Sequence, residues 1–450
     1  MAAGVLQQVS SLVGAKYVST DPDVLAARSL DYTGRYRGRA SALVRPGSAD
    51  EVGEVLRICR DAGARVTIQG GRTSLVAGTV PEHDDVLLST ERLTAIGEVD
   101  TTERRIAAEA GVTLSAVQRV ASSAGLVFGV DLAARDTATV GGMASTNAGG
   151  LRTVRYGNMS SQVIGIDVAL PDGSVVRRHS RVRADNTGYD LPSLFVGAEG
   201  TLGVITALDL RLHPDPVHRV TAVCGFDELS ALVDAGRLFR DLDAIAALEL
   251  IDGRAAALAE EHLGAPPPVQ GHWLLLVELA ADCDQTERLA EALEGVRMSS
   301  EPAVGVDMAA QQRLWRVRES LSEVVGLFGS PLKFDVSLPL SAVAGFARDA
   351  GVLVQRHAAD AVAVLFGHIG EGNLHLNVLR CGAEEEQRLY IAMMDLIAEC
   401  GGNVSSEHGV GSRKRRYLAM SRDAADIAAM RSLKAAFDPT GYLNSAVLFD

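Results

Sequence analysis

The stretch that most constrains the fold of this chain is residues 136–150, which consist almost entirely of small side chains. They include four glycines, three alanines and one charged residue. Such a stretch buries little apolar area, and its many backbone polar groups need partners. The glycine pairs at 141–142 and 149–150 let the main chain approach a ligand closely, and the neighbouring hydroxyl groups can form hydrogen bonds. On its own, the stretch fits a ligand-binding segment and an ordinary surface loop equally well.

Length, charge and cysteine usage narrow the class of protein. A chain of 450 residues with 47% hydrophobic content can bury a large core and is expected to divide into two or three units. The net charge of -14 disfavours nucleic acid or an anionic membrane as the main partner. No apolar run reaches the roughly eighteen residues of a transmembrane helix. The five cysteines form no C-x-x-C pair, and no export signal is evident, so we expect a reduced, cytoplasmic enzyme.

One further glycine-rich turn and two segments typical of ligand binding lie in the first half of the chain. A strand predicted over 65–69 runs directly into the turn 70–74, which has the sequence G-G-R-T-S. Backbone N–H groups in such a turn can hold a pyrophosphate. The turn lacks the G-x-G-x-x-G pattern, so a Rossmann dinucleotide site is not predicted. The other two segments are residues 185–190 and 197–206.

The second half of the chain has a different pattern. From about residue 217, strands near 220–224 and 273–278 alternate with helices over 227–241 and 285–294. This alternation predicts a sheet covered by helices. We therefore expect three domains, which comprise residues 1–214, 215–398 and 399–450.

A second informative stretch, residues 366–377, reads F-G-H-I-G-E-G-N-L-H-L-N. Apolar residues alternate on both sides of its glycine turn, which predicts a hairpin that brings His368 near His375. Two converging imidazoles are half of a metal site, and the S-S-E-H-G segment at 405–409 offers a further ligand. Spacing alone also suits structural histidines, so a metal site is one of two interpretations.

Together, the glycine-rich segments resemble the FAD-binding domain of the vanillyl-alcohol oxidase superfamily. The second half resembles its FAD-linked oxidase C-terminal domain, and the whole chain is similar to the FAD-linked D-2-hydroxyacid dehydrogenases. The resemblance implies an α+β fold with a two-part FAD-binding domain, an α+β substrate domain and a C-terminal segment that returns to the flavin site.

The resemblance also implies a bound FAD and the residues that hold it. Some relatives tether the flavin through a histidine where this chain has Arg72-Thr73, so non-covalent FAD is expected. The implied FAD-binding residues are Gln69, Gly70, Gly71, Arg72, Thr73, Ser74, Thr139, Val140, Gly141, Gly142, Ala144, Thr146, Asn147, Gly149, Gly150, Glu199, Gly200, Val204 and Asn444.

A metal-assisted oxidation is the chemistry that the resemblance implies. The divalent-metal ligands of the family match His368, His375 and Glu407, with Zn²⁺ expected and Mn²⁺ or Fe²⁺ as alternatives. The metal would bind the substrate hydroxyl and lower its pKa, His408 would take the proton, and the C2 hydride would pass to the flavin. Neighbouring side chains of an extended segment point apart, so His408 suits the role of base better than that of a further ligand.

The substrate residues implied by the family lie on a predicted helix and the strand after it. Any single basic residue is more often a solvated charge. However, Arg318, Ser322 and Lys333 keep the spacing with which the family binds a second carboxylate, with Ser in place of the usual Thr, and Asn377 matches another substrate contact. The small Ser322 favours D-2-hydroxyglutarate or a similar dicarboxylate over D-lactate or glycolate.

Several alternatives and partners remain open from the sequence. Non-redox alkyl transfer on the same scaffold and storage of flavin by a binding protein are the interpretations outside this chemistry. For the enzyme, we expect a small-molecule 2-hydroxyacid substrate and a separate electron acceptor. The acceptors considered are an electron-transfer flavoprotein, a quinone and a cytochrome, and the assembly considered is a homodimer.

Overall fold

The computed structural model describes residues 3–179, 182 and 185–449, which form two compact units. Unit one comprises Met1–Gly149, Gly157–Asp215 and Glu407–Asp450, and unit two comprises Gly150–Tyr156 and Pro216–Ser406. No helix of the described residues is long and apolar enough to cross a membrane. The mixture of helices and sheets confirms the predicted α+β class.

The strands are β1 Val18–Ser19, β2 Ala40–Val44, β3 Val66–Gln69, β4 Asp85–Ser89, β5 Arg105–Glu109, β6 Leu126–Phe128, β7 Val163–Ala169, β8 Val175–His179, β9 Val204–Pro214, β10 His218–Phe226, β11 Ile245–Asp252, β12 Trp273–Ala281, β13 Ala303–Gly305, β14 Leu332–Ser337, β15 Val362–His368 and β16 Asn373–Leu379. The α-helices are α1 Ala3–Val13, α2 Pro22–Arg28, α3 Ala49–Asp61, α4 Leu114–Ser123, α5 Val140–Thr146, α6 Thr153–Tyr156, α7 Met159–Gln162, α8 Leu191–Phe195, α9 Leu229–Arg240, α10 Gly253–Leu263, α11 Thr286–Glu294, α12 Met308–Leu327, α13 Leu340–His357, α14 Ala383–Glu399 and α15 Ala424–Phe437. In the part of the chain that the structure describes, three 3₁₀ turns span Ala15–Tyr17, Ile369–Glu371 and Arg415–Met420.

Unit one contains two sheets. The first has the strand order β1-β2-β4-β3, in which β2, β4 and β3 run parallel. The second is antiparallel in the order β5-β9-β7-β8, with β6 also paired to β9. Ser48 caps the start of helix α3: its side chain accepts a hydrogen bond from the backbone N–H of Glu51. Its buried stripe packs in a core with residues of β2, β3, β4 and β9, which fixes the strand ends that precede the glycine-rich loops.

Unit two is built on one antiparallel sheet of seven strands in the order β13-β10-β12-β11-β15-β16-β14. Alternate residues of its strands pack with α10 and α12, as shown by Ile251, Phe366 and Leu321 in one core. The opposite face contacts other helices; for example, Phe334 of β14 stacks on Tyr390 of α14 at 5.1 Å between ring centroids. The face toward α12 therefore holds both an apolar core and the polar residues described below.

The unit boundaries differ from the predicted domain boundaries at three places, the smallest of which is Asp215, the last residue of a segment of unit one. Residues 399–406, which we assigned to the C-terminal segment, belong to unit two because Asn403 pairs with the backbone of Ser337 on β14. Residues 150–156 also belong to unit two. Two arginines explain this: Arg155 of α6 donates to the carbonyl oxygen of Ala280, and Arg152, which precedes α6, forms an ion pair with Glu278. Neither contact has a signal in the local sequence.

Candidate active site

Two of the glycine-rich segments are packed together in unit one. A Cβ atom added to Gly70 would lie 2.6 Å from the hydroxyl of Thr139, and one added to Gly71 would lie 1.9 Å from the carbonyl oxygen of Thr137. Both positions therefore require glycine. The loop after β3 and the start of α5 thus meet main chain against main chain, which brings the first two predicted FAD-binding segments into contact.

Polar side chains of these segments hold the loops themselves in place. Gln69 is fully buried, and its amide nitrogen donates to the carbonyl oxygens of Arg28 and Thr79 at 2.8 and 2.9 Å. The hydroxyl of Ser74 accepts hydrogen bonds from backbone N–H groups two and four residues later. Thr139 caps α5 by accepting from the N–H of Gly142. The loops are thus shaped by the chain's own hydrogen bonds before any ligand arrives.

The remaining FAD-binding predictions lie on α5, in the glycine-rich loops or at the start of β9, and all but Gly150 belong to unit one. Val140, Gly141 and Ala144 are buried on α5, and a Cβ atom added to Gly141 would lie 2.5 Å from that of Ala110. Asn147 ends α5 in the left-handed region with φ 54°, and its side chain accepts from the N–H of Ser160. Of the others, Arg72, Thr73 and Thr146 are half-buried, Gly149 ends a segment of unit one, Gly150 opens unit two, and Val204 begins β9.

Glu199 and Asn444, two predicted FAD-binding residues distant in sequence, are brought together. The Asn444 amide nitrogen donates to the carbonyl oxygen of Glu199 at 2.8 Å, and its amide oxygen accepts from the N–H of Ile68 at 2.9 Å. The Glu199 carboxylate in turn accepts the backbone N–H groups of Val410 and Gly411 at 2.8 and 2.7 Å. Burial raises the pKa of Glu199, and these two N–H groups oppose that shift.

In unit two, strand register places a set of polar residues on one face of the sheet. Lys333 is paired with Asn377, and Asp335 with His375, across β14 and β16. Across β11 and β15, Glu249 is paired with His368. Because successive side chains of a strand alternate between faces, all of these residues point toward the same side as the core under α12.

The hairpin of β15 and β16 brings His368 and His375 together, as its pattern predicts. Their ring centroids lie 5.3 Å apart at an interplanar angle of 86°. Nδ1 of His368 lies 2.6 Å from a Glu249 carboxylate oxygen, and Nδ1 of His375 lies 3.6 Å from Asp335. Both carboxylates are buried. A carboxylate at Nδ1 orients an imidazole so that Nε2 can bind a metal ion, an arrangement typical of metal-ligating histidines.

Arg318 is buried and ordered, so the interpretation as a solvated charge is wrong for this residue. Its side chain is 6% exposed, and Nε donates to Glu249 at 2.7 Å. The guanidinium also lies 5.0 Å from the centroid of the Phe366 ring. No described residue accepts a hydrogen bond from its two terminal nitrogens. These nitrogens are the part of Arg318 that can still bind an anion.

The other two predicted carboxylate-binding residues are less enclosed. Ser322, one turn after Arg318 on α12, is exposed. Lys333 is half-buried, and burial lowers the pKa of its ammonium group. No described residue forms an ion pair with Lys333. An anion beside it would therefore replace lost hydration.

Sequence reasoning missed three residues of this face. Glu249 is hydrogen-bonded to His368, Asp335 lies 3.6 Å from His375, and Asn373 is buried while no described residue forms a hydrogen bond with either polar atom of its side chain. Asn373 could have been found from its place in the H-x-G-x-G-N-x-H motif. Asp335 lies two residues after Lys333 and therefore on the same face of the strand, which is a weaker signal. Glu249 has no sequence signal, because it lies 119 residues before His368.

Glu407 and His408 directly follow Ser406, the last residue of unit two, in the chain. The N–H of Ser406 donates to Asp335 at 3.1 Å, the same carboxylate that lies beside His375. Glu407 begins the last segment of unit one, and its Cα is about 3.8 Å from that of Ser406 because one peptide bond joins them.

Comparisons with known proteins give consistent results. The FAD binding domain model matches residues 40–178, and the C-terminal domain model of FAD linked oxidases matches residues 215–448. A mitochondrial D-2-hydroxyglutarate dehydrogenase of Danio rerio is 33% identical over 437 residues, which cover 94% of this chain and 81% of that protein. The D-2-hydroxyglutarate dehydrogenase of Stutzerimonas stutzeri is 31% identical, with 99% of this chain and 98% of that protein covered.

A solved structure supports the same fold. The substrate-bound crystal structure of p-cresol methylhydroxylase aligns with a TM-score of 0.79, and the alignment covers 99% of this chain and 96% of that one. At 17% sequence identity, this likeness shows the fold alone.

Proposed function

The chain belongs to the family of FAD-linked oxidases, and from that premise we propose that it oxidises the C2 hydroxyl of a D-2-hydroxyacid to a 2-oxoacid. The observation that carries this proposal is the polar face of unit two, where two histidines beside buried carboxylates share one sheet face with Lys333, and Arg318 of α12 donates to one of those carboxylates, Glu249. An alcohol that is activated beside two cationic groups matches the chemistry of a hydroxy-carboxylic acid.

FAD, when bound, supplies the acceptor for the hydride that leaves C2. The loop 69–74 and the start of α5 would hold it through main-chain groups, because several of their side chains are engaged within the protein. Arg72 and Thr73 offer no histidine for a covalent bond, so we propose non-covalent binding. Glu199 and Asn444 would act here mainly by fixing the neighbouring loops.

For the divalent metal, we propose His368, His375 and Glu407 as ligands, with zinc as the first candidate. A divalent cation at these residues would supply a Lewis acid that lowers the pKa of the substrate hydroxyl. The arrangement at the two histidines supports this: each Nδ1 faces a buried carboxylate, which leaves Nε2 for the cation. His408, next to Glu407, would accept the hydroxyl proton.

For the substrate, we propose a D-2-hydroxy dicarboxylate of the size of D-2-hydroxyglutarate. The terminal nitrogens of Arg318 and the ammonium group of Lys333 would bind the distal carboxylate, and Ser322 would add a hydroxyl contact. Asn377 would bind near C1, since it lies two residues beyond His375 on the same face. D-Lactate and glycolate lack the second carboxylate and are expected to bind more weakly.

One experiment tests the activity and its competitors together. The purified yellow protein is mixed anaerobically with D- and L-2-hydroxyacids, and bleaching of the flavin is followed with and without a dye as acceptor. We expect rapid bleaching with D-2-hydroxyglutarate, slower bleaching with D-lactate and glycolate, and none with L-enantiomers. A flavin that no hydroxyacid bleaches would contradict the proposal and favour alkyl transfer or flavin storage.

We also propose a cytoplasmic location and a separate electron acceptor. None of the five cysteines forms a disulfide, and two of them are buried, which agrees with a reducing compartment. The Danio rerio relative is named as mitochondrial, so fractionation of the native cell is the deciding measurement. Purified electron-transfer flavoprotein, quinone and cytochrome are the acceptors to compare, and sedimentation tests the homodimer.

A further inference from the structure

The carboxylate of Glu199 contacts a loop that begins beside His408. Its two oxygens accept the N–H groups of Val410 and Gly411, which lie two and three residues after His408. We propose that Glu199 is a positioning residue that fixes the backbone of residues 408–411 so that His408 can act as the base. This inference rests on the proposed function, since it assumes that His408 takes the substrate proton.

The loop is fitted closely around this carboxylate. Gly409 has φ +82°, and a Cβ atom there would lie 2.9 Å from the carboxyl carbon of Glu199. Gly411 has φ +54°, and a Cβ atom there would lie 2.2 Å from the carbonyl oxygen of Val76. The two flexible positions that follow His408 are thus held between Glu199 on one side and Val76 on the other. Loss of the Glu199 carboxylate would remove the contact at Gly409, which is the contact closer to His408 in the chain.

The main chain of Glu199 is itself held by two hydrogen bonds. Its own N–H donates to the carbonyl oxygen of Ser145 at 2.7 Å, and its carbonyl oxygen accepts from Asn444 at 2.8 Å. Its φ of +49° lies in the left-handed region, which is uncommon for a residue with a side chain. The fixed main chain of Glu199 therefore orients its carboxylate, and the hydrogen bonds of this carboxylate hold the backbone of Val410 and Gly411.

A carboxylate is a costly choice for a buried position. Burial disfavours its charged form and raises the pKa of Glu199, and only the two backbone N–H groups and the charge of Lys414 counter this. A glutamine of the same shape could accept one N–H group, but its NH₂ group would face the other N–H group as a second donor. The site therefore requires an acceptor at both atoms, which Glu199 alone provides.

The test is a double-mutant cycle on the full-length holoenzyme. Flavin reduction by substrate is measured for wild type, E199Q, H408A and the double variant. We expect E199Q to slow reduction by about tenfold to a hundredfold when His408 is present, because small misplacements of a reacting group have effects of this size. In the H408A background, E199Q should change the rate by less than about twofold, since the group that it positions is gone.

Asp31→Asn is the matched control. Asp31 is another buried carboxylate of unit one that accepts two backbone N–H groups, those of Thr33 and Tyr36. Its loss should lower the melting temperature and leave flavin reduction unchanged in both backgrounds. FAD content and metal content are measured for every variant, and we expect E199Q to retain both.

The outcomes separate this inference from the proposed function. If E199Q slows reduction equally with and without His408, the effect is structural and the positioning role is overturned. If H408A reduces its flavin at the wild-type rate, the base assignment itself fails. Should E199Q not fold, E199D gives the same test, because its shorter side chain cannot reach both N–H groups. A retained wild-type rate in E199D would also overturn the inference.

Discussion

Glu249 carries two interactions on one buried carboxylate. One oxygen lies at Nδ1 of His368, and the other accepts the hydrogen bond from Arg318. The residue thus joins a proposed metal ligand to a proposed substrate cation. A change at Glu249 should therefore appear in both metal binding and substrate binding.

We predict that Glu249→Gln lowers metal affinity by about tenfold to a hundredfold. Loss of the carboxylate at Nδ1 changes the orientation and basicity of the ligating His368. Metal titration of the stripped protein measures this. Glu278→Gln is the control, since Glu278 is a buried carboxylate on the same sheet that bonds Arg152 and Trp315. Both variants should lose stability, but only the first should lose metal affinity. Equal metal affinity in the two variants would contradict the role of Glu249.

For Asn373 we predict that a substitution raises stability, whereas the substitution of Glu249 should lower it. Its buried amide has no hydrogen-bond partner among the described residues, a situation that costs about 1–3 kcal/mol per unsatisfied group. Asn373→Leu should therefore raise the unfolding free energy of the ligand-free protein, measured by urea denaturation, and should weaken substrate binding. Asn377→Leu is the control, because Asn377 donates to the carbonyl oxygen of His375 and should lose stability. A destabilised Asn373→Leu variant would contradict this interpretation.

At the scale of elements, one histidine ties three strands of unit one. His179 on β8 lies 2.9 Å from Asp209 of β9 and 2.6 Å from Asp167 of β7. These hydrogen bonds, that to Asp209 first, raise the pKa of His179 to about 9. The folded pKa exceeds the unfolded value near 6.5, so the stabilisation is complete below that pH and is lost as pH rises through about 9.

We predict that wild type loses more stability than His179→Gln between pH 7 and pH 10. The difference should be less than about 1 kcal/mol, because the side chain is partly exposed and solvent screens the ion pairs. Urea unfolding at several pH values measures it. Parallel pH profiles for the two proteins would show that the carboxylates do not act on His179.

The elements differ in how far the sequence determines them. The hairpin of β15 and β16 is readable because its apolar residues alternate with period two around a glycine turn. Helix α5 is not, because a segment rich in glycine and β-branched residues has weak helix propensity. It forms because Thr139 caps its start and Asn147 closes its end in the left-handed region. Tertiary contacts with neighbouring loops then hold it, and these have no local pattern.

Gly71 offers a prediction about the contact between the two glycine-rich segments. Gly71→Ala would force its Cβ against the carbonyl oxygen of Thr137, so the loop must shift and the FAD content should fall sharply. The absorbance of the purified protein measures this. Gly351→Ala in α13 is the control: no atom lies within 4 Å of the added Cβ, and alanine favours a helix by about 1 kcal/mol. Full flavin occupancy in Gly71→Ala would contradict the proposed cradle.

At the scale of the whole molecule, the sequence reveals the proposed binding and catalytic residues but not the carboxylates that contact them. The glycine-rich loops, His368, His375 and the Glu407-His408 pair can be found as motifs with fixed spacing. Glu249 and Asp335 cannot, because strand pairing in the folded sheet brings them to the histidines. Glu199 itself lies in a predicted segment, but its contact with Val410 has no local signal because the two residues are more than 200 positions apart. Long-range partners are therefore the part that sequence patterns miss.

The division into two units leads to a prediction about the binding of the two cofactors. The proposed flavin cradle lies in unit one, whereas two of the three proposed metal ligands lie in unit two. His375→Ala should therefore lose the metal and retain a full FAD spectrum, and Gly71→Ala should lose FAD and retain the metal. Metal analysis and absorbance on the same samples measure both. Neither variant should oxidise substrate, since hydride acceptance and hydroxyl activation are needed in one step. If both variants lost both cofactors, the two sites would form one folding unit, and the roles assigned here to separate residues would have to be reassigned to the fold as a whole.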